Sequence, residues 1–292
     1  MSHNALRQTY IKLEPQTTLH GFSISGLATY LQIPELDVVF DMGECPISAL
    51  PLNHVFLTHS HGDHSRCLMR HNSLRKMMGI EKPAAYYIPH FLMTKAKRWI
   101  QAEAEFEGVP PGKFKQPNLI AINAKDDPQQ LSYRKDLYVK AFAVKHAQPS
   151  LGYTVFKSKK KLKPQYIGLT PQELIQLREN GVEIQKQILT PFLTFIGDCV
   201  GESLIEEEHI WQSKFLVLEA TFLDQGEEDM AKAKGHTHLK EIFEILTNPP
   251  FPIQTEKIIL KHFSMKYTKD FILKRIRESI PDPWQEKILV LL

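Results

Sequence analysis

The chain is poor in cysteine: Cys45, Cys67 and Cys199 are the only three among 292 residues, and none forms a CxxC pair. That excludes a disulfide framework and a thiolate zinc ribbon. It points to a reducing compartment, expected to be the cytoplasm or, in a eukaryotic cell, the nucleus. The sequence also lacks any apolar run approaching the roughly 20 residues of a membrane span, so no membrane partner is expected. Its opening, MSHNALRQTYIKLEP, has no apolar signal-peptide core. Neither sign of charge predominates, because 36 basic and 33 acidic residues leave a net charge of +3, too small to select a partner by itself. Internal repeats, low-complexity tracts and linkers are absent. With 42% hydrophobic and 24% charged residues the chain can bury a substantial core, and one domain spanning 1–292 is expected.

What the chain does have is His59-Ser60-His61-Gly62-Asp63-His64, four metal-competent side chains within six residues, directly after the apolar run Val55-Phe56-Leu57. A strand ending in such a turn presents alternating side chains to two sides of one cavity. His59 and His61 can then serve one metal while Asp63 and His64 reach a second. Imidazole and carboxylate suit zinc and other divalent first-row ions. The pattern predicts a binuclear metal site.

Other short strands also end in a chemically able side chain. The run 36–40 leads into Asp41, 137–144 delivers His146, and 192–196 delivers Asp198. Likewise 215–218 delivers Glu219, and 258–260 delivers His262 after Lys261. With the histidine cluster these make six strand ends, which implies one common edge where loops converge. Helical segments alternate with the strands. Thr170-Pro171-Gln172-Glu173 reads as a capping box, Gly181 supplies a stop, and Leu174 and Leu177 are expected to pack onto the body. Helices are also expected over 90–106 and 238–246, and after Thr268 with Phe271, Ile272 and Ile276 inward. The alternation predicts an α/β fold.

The motifs DMGE at Asp41, HSHGDH at His59, KHAQPSLGY at His146, GDC at Asp198, LEATF at Glu219, GHTH at His236 and KHFSMKY at His262 span almost the whole chain. Their order resembles the metallo-β-lactamase superfamily and, within it, ribonuclease Z, the endonuclease that trims precursor-tRNA 3′ ends. The likeness is greatest to the short, plant nuclear form. The resemblance implies an αββα four-layer sandwich with two zinc ions, or manganese, at the top edge of its sheets. It places His59, His61 and His146 on the first metal and Asp63, His64 and His262 on the second, with Asp198 bridging. Asp41 is expected to orient the histidine loop through hydrogen bonds. In the hydrolysis so implied, Asp63 steers the proton of the attacking water. Glu219 keeps His236 protonated to serve the leaving ribose 3′ oxygen. Precursor tRNA, a homodimer and a protruding arm between the second and third motifs follow from the same resemblance. A small substrate-contacting insertion is expected at about 90–118.

Substrate candidates are of a simpler kind. Lys157, Lys159, Lys160, Lys161 and Lys163 crowd seven residues shortly after His146, expected beside the site. They suit phosphate neutralisation, or are a solvated hairpin tip. Tyr153 and Tyr166 could stack on unpaired bases or pack in the interior. The chain departs from bacterial-type relatives in having LEAT for HEAT and Cys199 for threonine, and its 21–26 segment (GFSISG) lacks Pro-Thr-x-x-Arg-Asn. None of these changes removes an expected ligand, and they bear on substrate preference. Two other readings stay open: a phosphodiesterase acting on a cyclic nucleotide or other small phosphodiester, and an RNA-binding module with structural metals.

Overall fold

Strands form where the apolar runs predict them. A computed structural model describes residues 9–110 and 112–292. In it β1 (Thr9–Glu14), β2 (Thr17–Ser25), β3 (Ala28–Ile33), β4 (Val38–Phe40), β5 (His54–Phe56), β6 (Ala85–Pro89) and β7 (Asn118–Ile122) pair in chain order in one sheet. A second sheet contains β8 (Gln129–Leu131), β9 (Arg134–Val144), β10 (Ser150–Leu162), β11 (Gln185–Ile196), β12 (Phe215–Glu219) and β13 (Lys257–Lys261). The chain then crosses back through β14 (Phe263–Ser264), which pairs with β2, before β15 (Ile288–Val290) completes the second sheet beside β13.

Central strands are apolar at consecutive positions because both of their faces are covered. In β12, Phe215 and Val217 enter the core between the sheets while Leu216 and Leu218 enter the layer beyond. Phe40 of the first sheet stacks on Phe195 of the second, ring centroids 4.7 Å apart. The helices are α1 (Gly62–Ser65), α2 (Leu68–Met77), α3 (Met93–Phe106), α4 (Pro171–Glu179), α5 (Glu202–Glu206), α6 (Glu228–Lys234), α7 (Leu239–Thr247) and α8 (Lys269–Ser279). Leu68, Met69 and Ile100 of α2 and α3 cover the outer face of the first sheet, and Ile242, Leu246, Ile272 and Ile276 of α7 and α8 cover the second. The layers run helix, sheet, sheet, helix, as expected. Among the described residues no helix is long and apolar enough to cross a membrane.

One expected segment takes a definite form here and one expectation changes. The 90–118 segment is the crossover from β6 through α3 to β7, two strands paired in parallel; residue 111 of its loop lies outside the described residues. The element that does project lies further along. β10 parts from β9 after Lys157 pairs with Leu137, and continues with β11 alone to Leu162 opposite Gln185. A bulge at Val155/Phe156, opposite Pro191, bends it on the way. Between these strands α4 carries the expected capping box, with Thr170 N–H donating to the Glu173 carboxylate at 2.7 Å. However, no residue of α4 is buried, so Leu174 and Leu177 do not dock on the body.

Two substitutions should separate body from projection. Phe195→Ala should cost about 3–5 kcal/mol of unfolding free energy, read by urea denaturation through the buried Trp211. Thr170→Ala should cost about 1 kcal/mol, visible as faster hydrogen exchange confined to α4.

Candidate metal centre

Six strands end on one edge of the sandwich. Asp41 follows β4, His59 follows β5, His146 follows β9, Asp198 follows β11, Glu219 closes β12, and His262 follows β13. Parallel pairing of β4 with β5, and of β11 with β12 and β13, levels these ends. The two sheets are tied there by Leu151 N–H donating to the Thr58 carbonyl at 3.1 Å. Asp41 and His262 take φ values of 58° and 63°, a left-handed conformation that costs a residue bearing a Cβ and tends to be kept at functional sites.

The donor atoms of the expected ligands converge in two groups, and Asp198 and His262 also form a third with His236. His59 Nε2 lies 3.0 Å from His61 Nδ1, which lies 3.4 Å from His146 Nε2. Across the cleft the Nε2 atoms of His64 and His262 face each other at 3.2 Å, with Asp63 Oδ2 3.7 and 3.5 Å from them. Asp198 Oδ2 is 3.2 Å from both of these nitrogens and 3.9 Å from His59 Nε2. One group is therefore His59, His61, His146 and Asp198, the other Asp63, His64 and His262, and the donors within each lie within 4.8 Å of one another. The Asp198 carboxylate is where the groups meet. Such clusters are typical of a binuclear metal site.

Four of the five donor rings, all but His61, are aimed by the other nitrogen. His146 Nδ1–H donates to the Gly235 carbonyl at 2.7 Å, and His64 Nδ1–H to Asp41 Oδ2 at 2.7 Å. Thr58 gives Asp41 both its backbone N–H, at 2.8 Å, and its hydroxyl, at 2.9 Å, and its oxygen lies 2.9 Å from His59 Nδ1. Thr221 Oγ1 stands 3.0 Å from His262 Nδ1. At Gly43 a Cβ would come 1.7 Å from the Asp63 carbonyl oxygen, so a bare backbone is required for α1 to approach this closely.

The electrostatics suit cations. Burial, reinforced at His59 by His64 and at His61 by His146, lowers both pKa values, and burial lowers that of His262. Burial opposes ionisation of Asp63 and Asp198, but His262 and His64 outweigh it and hold both carboxyls well below the usual range. His64 is the exception: burial would lower its pKa, yet Asp198 and Asp41 raise it to about 10. Neutral imidazoles and ionised carboxylates are the states divalent ions need, so this donor set fits two of them once His64 gives up a proton.

Beside the cluster, His236 Nδ1 lies 3.0 Å from Glu219 Oε1 and 4.0 Å from Asp198 Oδ2. Glu219 is fully buried and accepts Cys199 N–H at 2.8 Å. Burial alone would raise its pKa; the His236 imidazolium lowers it below the ordinary value. Burial alone would lower His236, and Glu219 and Asp198 instead push it up to about 9. Thr221, whose hydroxyl donates to Glu219 Oε2, links this pair to His262. Neither Thr58 nor Thr221 was singled out from sequence, although each sits one or two residues from a candidate. Lys261 is fully buried with Nζ 3.8 Å from Asp198 Oδ1, and neither atom has a hydrogen-bond partner among the described residues. His238, left without a role by sequence, caps α7 by accepting Lys240 N–H at 3.1 Å.

The substrate candidates fare differently. Tyr153 is fully buried in the inter-sheet core, its hydroxyl donating to the Leu57 carbonyl, and cannot stack on a base. The lysine run is not beside the cluster. β10 begins at the site edge with Ser150, so Lys159 to Lys161 lie roughly 30 Å along it at about 3.3 Å per residue. Lys157 is engaged with Glu14 at 2.9 Å and Lys163 with Glu183 at 3.3 Å, leaving Lys159, Lys160 and Lys161 exposed. Among the described residues no arm projects between His64 and His146; the projecting hairpin lies between His146 and Asp198.

Two solved structures share this fold across 93% of the chain and 95% of their own. They are human tRNase Z, short form, with a TM-score of 0.56 at 16% identity, and YhfI from Bacillus subtilis, at 0.55 and 12%. The architecture is the metallo-β-lactamase fold. In sequence, tRNase Z TRZ1 of Arabidopsis thaliana is 32% identical over 279 residues, 94% of each chain. The chloroplastic tRNase Z TRZ2 of the same plant is 30% identical over 285 residues, 94% of this chain and 74% of that one. The zinc phosphodiesterase ELAC protein 1 of Homo sapiens is 25% identical over 78% of each. No family model matches the chain. On the strength of the Arabidopsis relatives, the chain belongs to the tRNase Z, or ribonuclease Z, family.

If Glu219 is what keeps His236 protonated, Glu219→Gln should move the His236 titration in the metal-free protein from about 9 down toward the ordinary histidine range. Imidazole resonances followed by NMR against pH will show the shift.

Proposed function

We propose that the chain is a two-zinc phosphodiesterase that removes 3′ trailers from precursor tRNA. His59, His61 and His146 would hold one ion, Asp63, His64 and His262 the other, and Asp198 both. Zinc is favoured by the all-nitrogen-and-oxygen donor set and by the name of the human relative; manganese is the alternative. When bound, a pair of divalent cations supplies Lewis acidity, generating the nucleophile near neutral pH and screening phosphodiester charge. Asp63, its Oδ2 anchored by Gly26 N–H at 2.8 Å, is the residue that steers the proton of the attacking water. His236 commits Nδ1 to Glu219, so Nε2–H is the donor to the leaving 3′ oxygen.

The observation that carries this reading is the Glu219–His236 pair set against the shared Asp198, a proton donor suited to an alkoxide leaving group, which a thiolate does not require. RNA is favoured over a small phosphodiester by the exposed lysines of the β10–β11 hairpin, which only a long substrate could reach from the cluster. A homodimer belongs to the same reading.

The test is to incubate zinc-loaded protein with a 3′-extended tRNA and map the cut. A single cut beside the discriminator base is expected, lost in Asp63→Ala. His236→Ala should lower kcat by about 10²–10⁴-fold while zinc content stays unchanged. Neutralising Lys159, Lys160 and Lys161 together to glutamine should raise KM for the tRNA and flatten its salt dependence by up to about 0.9 per phosphate contact. Hydrolysis of a nitrophenyl phosphodiester should not change. Cleavage of small phosphodiesters without cleavage of tRNA would sink the substrate assignment and spare the site. Because His64 must lose a proton, zinc affinity should rise by up to about tenfold per pH unit between pH 6 and 8, measurable by chelator competition.

A further inference from the structure

The histidine loop has a second side. Ser60 and Gly62, which flank the donor His61, border a cavity of about 360 Å³, so the cavity and the donor cluster share the histidine loop. Leu57 and Ile88 contribute from the first sheet, and Leu92 and Trp99 close the far wall at α3. That volume lies within the range of about 300–1,000 Å³ usual for small-molecule sites. An apolar slot walled by an indole accepts a flat, uncharged ring.

The rim adds charge. Arg66 and Lys95 line the cavity and are exposed, and no acidic residue lines it. Arg66 uses Nε on the Gly43 carbonyl at 3.1 Å, while Lys95 has no hydrogen-bond or ion-pair partner among the described residues. A purely apolar ligand would gain nothing from two uncompensated cations, and a bare polyanion would gain nothing from the slot. A planar ring attached to a phosphate uses both.

We infer that this cavity seats the base of a nucleotide flanking the cleaved bond, with Arg66 and Lys95 on the neighbouring phosphate. The inference rests on the RNA-cleaving reading above. Only His61 stands between Ser60 and Gly62 in the loop, so a single strand can lay its scissile phosphodiester in the cluster and turn the next base past His61 into the slot. Trp99 then acts on substrate affinity and Asp63 on the chemical step, and the two functions are separable.

The experiment uses the full chain with zinc. Asp63→Ala protein is bound to 3′-extended tRNA carrying 5-iodouridine at one position on either side of the cut, irradiated, and the crosslink mapped. Attachment at Trp99 from one of these positions is expected; RNA that binds yet crosslinks elsewhere from both overturns the site. In parallel, Trp99→Ala should raise KM about tenfold on intact substrate with kcat within threefold. It should match wild type on a substrate made abasic at the crosslinking position. Equal loss on intact and abasic RNA would reduce Trp99 to a structural role, and a change in sedimentation would assign the slot to a contact between copies. Wild-type protein that cuts no extended tRNA would instead overturn the RNA-cleaving reading itself, and the base site with it.

Discussion

Asp41 is the point from which the edge is organised. Its carboxylate takes the Thr58 N–H and hydroxyl on one side and His64 Nδ1–H on the other. One buried acid thereby fixes both the end of β5 and the start of α1, the two turns between which the histidine loop is strung. Thr58 transmits the constraint to His59, and the close passage of Gly43 beneath Asp63 sets the height of α1. An unpaired charge at such a depth would be costly; shared among three donors it becomes a rigid frame. The strained backbone of Asp41 itself is held by its N–H on the Phe56 carbonyl.

Much of this was legible in the chain. Apolar runs buried on both faces end where burial ends, so a polar residue at the end of a run marks the sheet edge. That is why Asp41, His59, His146, Asp198, Glu219 and His262 could be placed together before any coordinates. Capping at Thr170 and Thr268 was equally local, since each is decided by one side chain and the next turn. Of the two readings of Tyr153, interior packing could have been chosen: it shares period-two alternation with Leu151 and Val155, and all three face the inter-sheet core.

Other features depend on where a neighbour stops. The lysine run looked close to His146 because it is close in sequence, but a strand carries its residues away in a straight line. That β10 outlasts β9, and that α4 therefore lies away from the core of the body, is a matter of relative strand length. Lys261 is a third case. Sequence shows a lysine ending an apolar strand, and register alone sets it beside Glu219 and under Asp198.

The donors come from both sheets. His59, His61, Asp63 and His64 hang from the first, His146, Asp198 and His262 from the second, and His64 and His262 are 198 positions apart in the chain. An ion gripped from both sides is in effect a removable cross-link, closing loops far longer than a hairpin and taking that much freedom from the unfolded chain. With ions bound, the edge that gathers the donors would also be a clasp on the sandwich, and chelation should loosen the seam between the sheets before it disturbs either sheet alone.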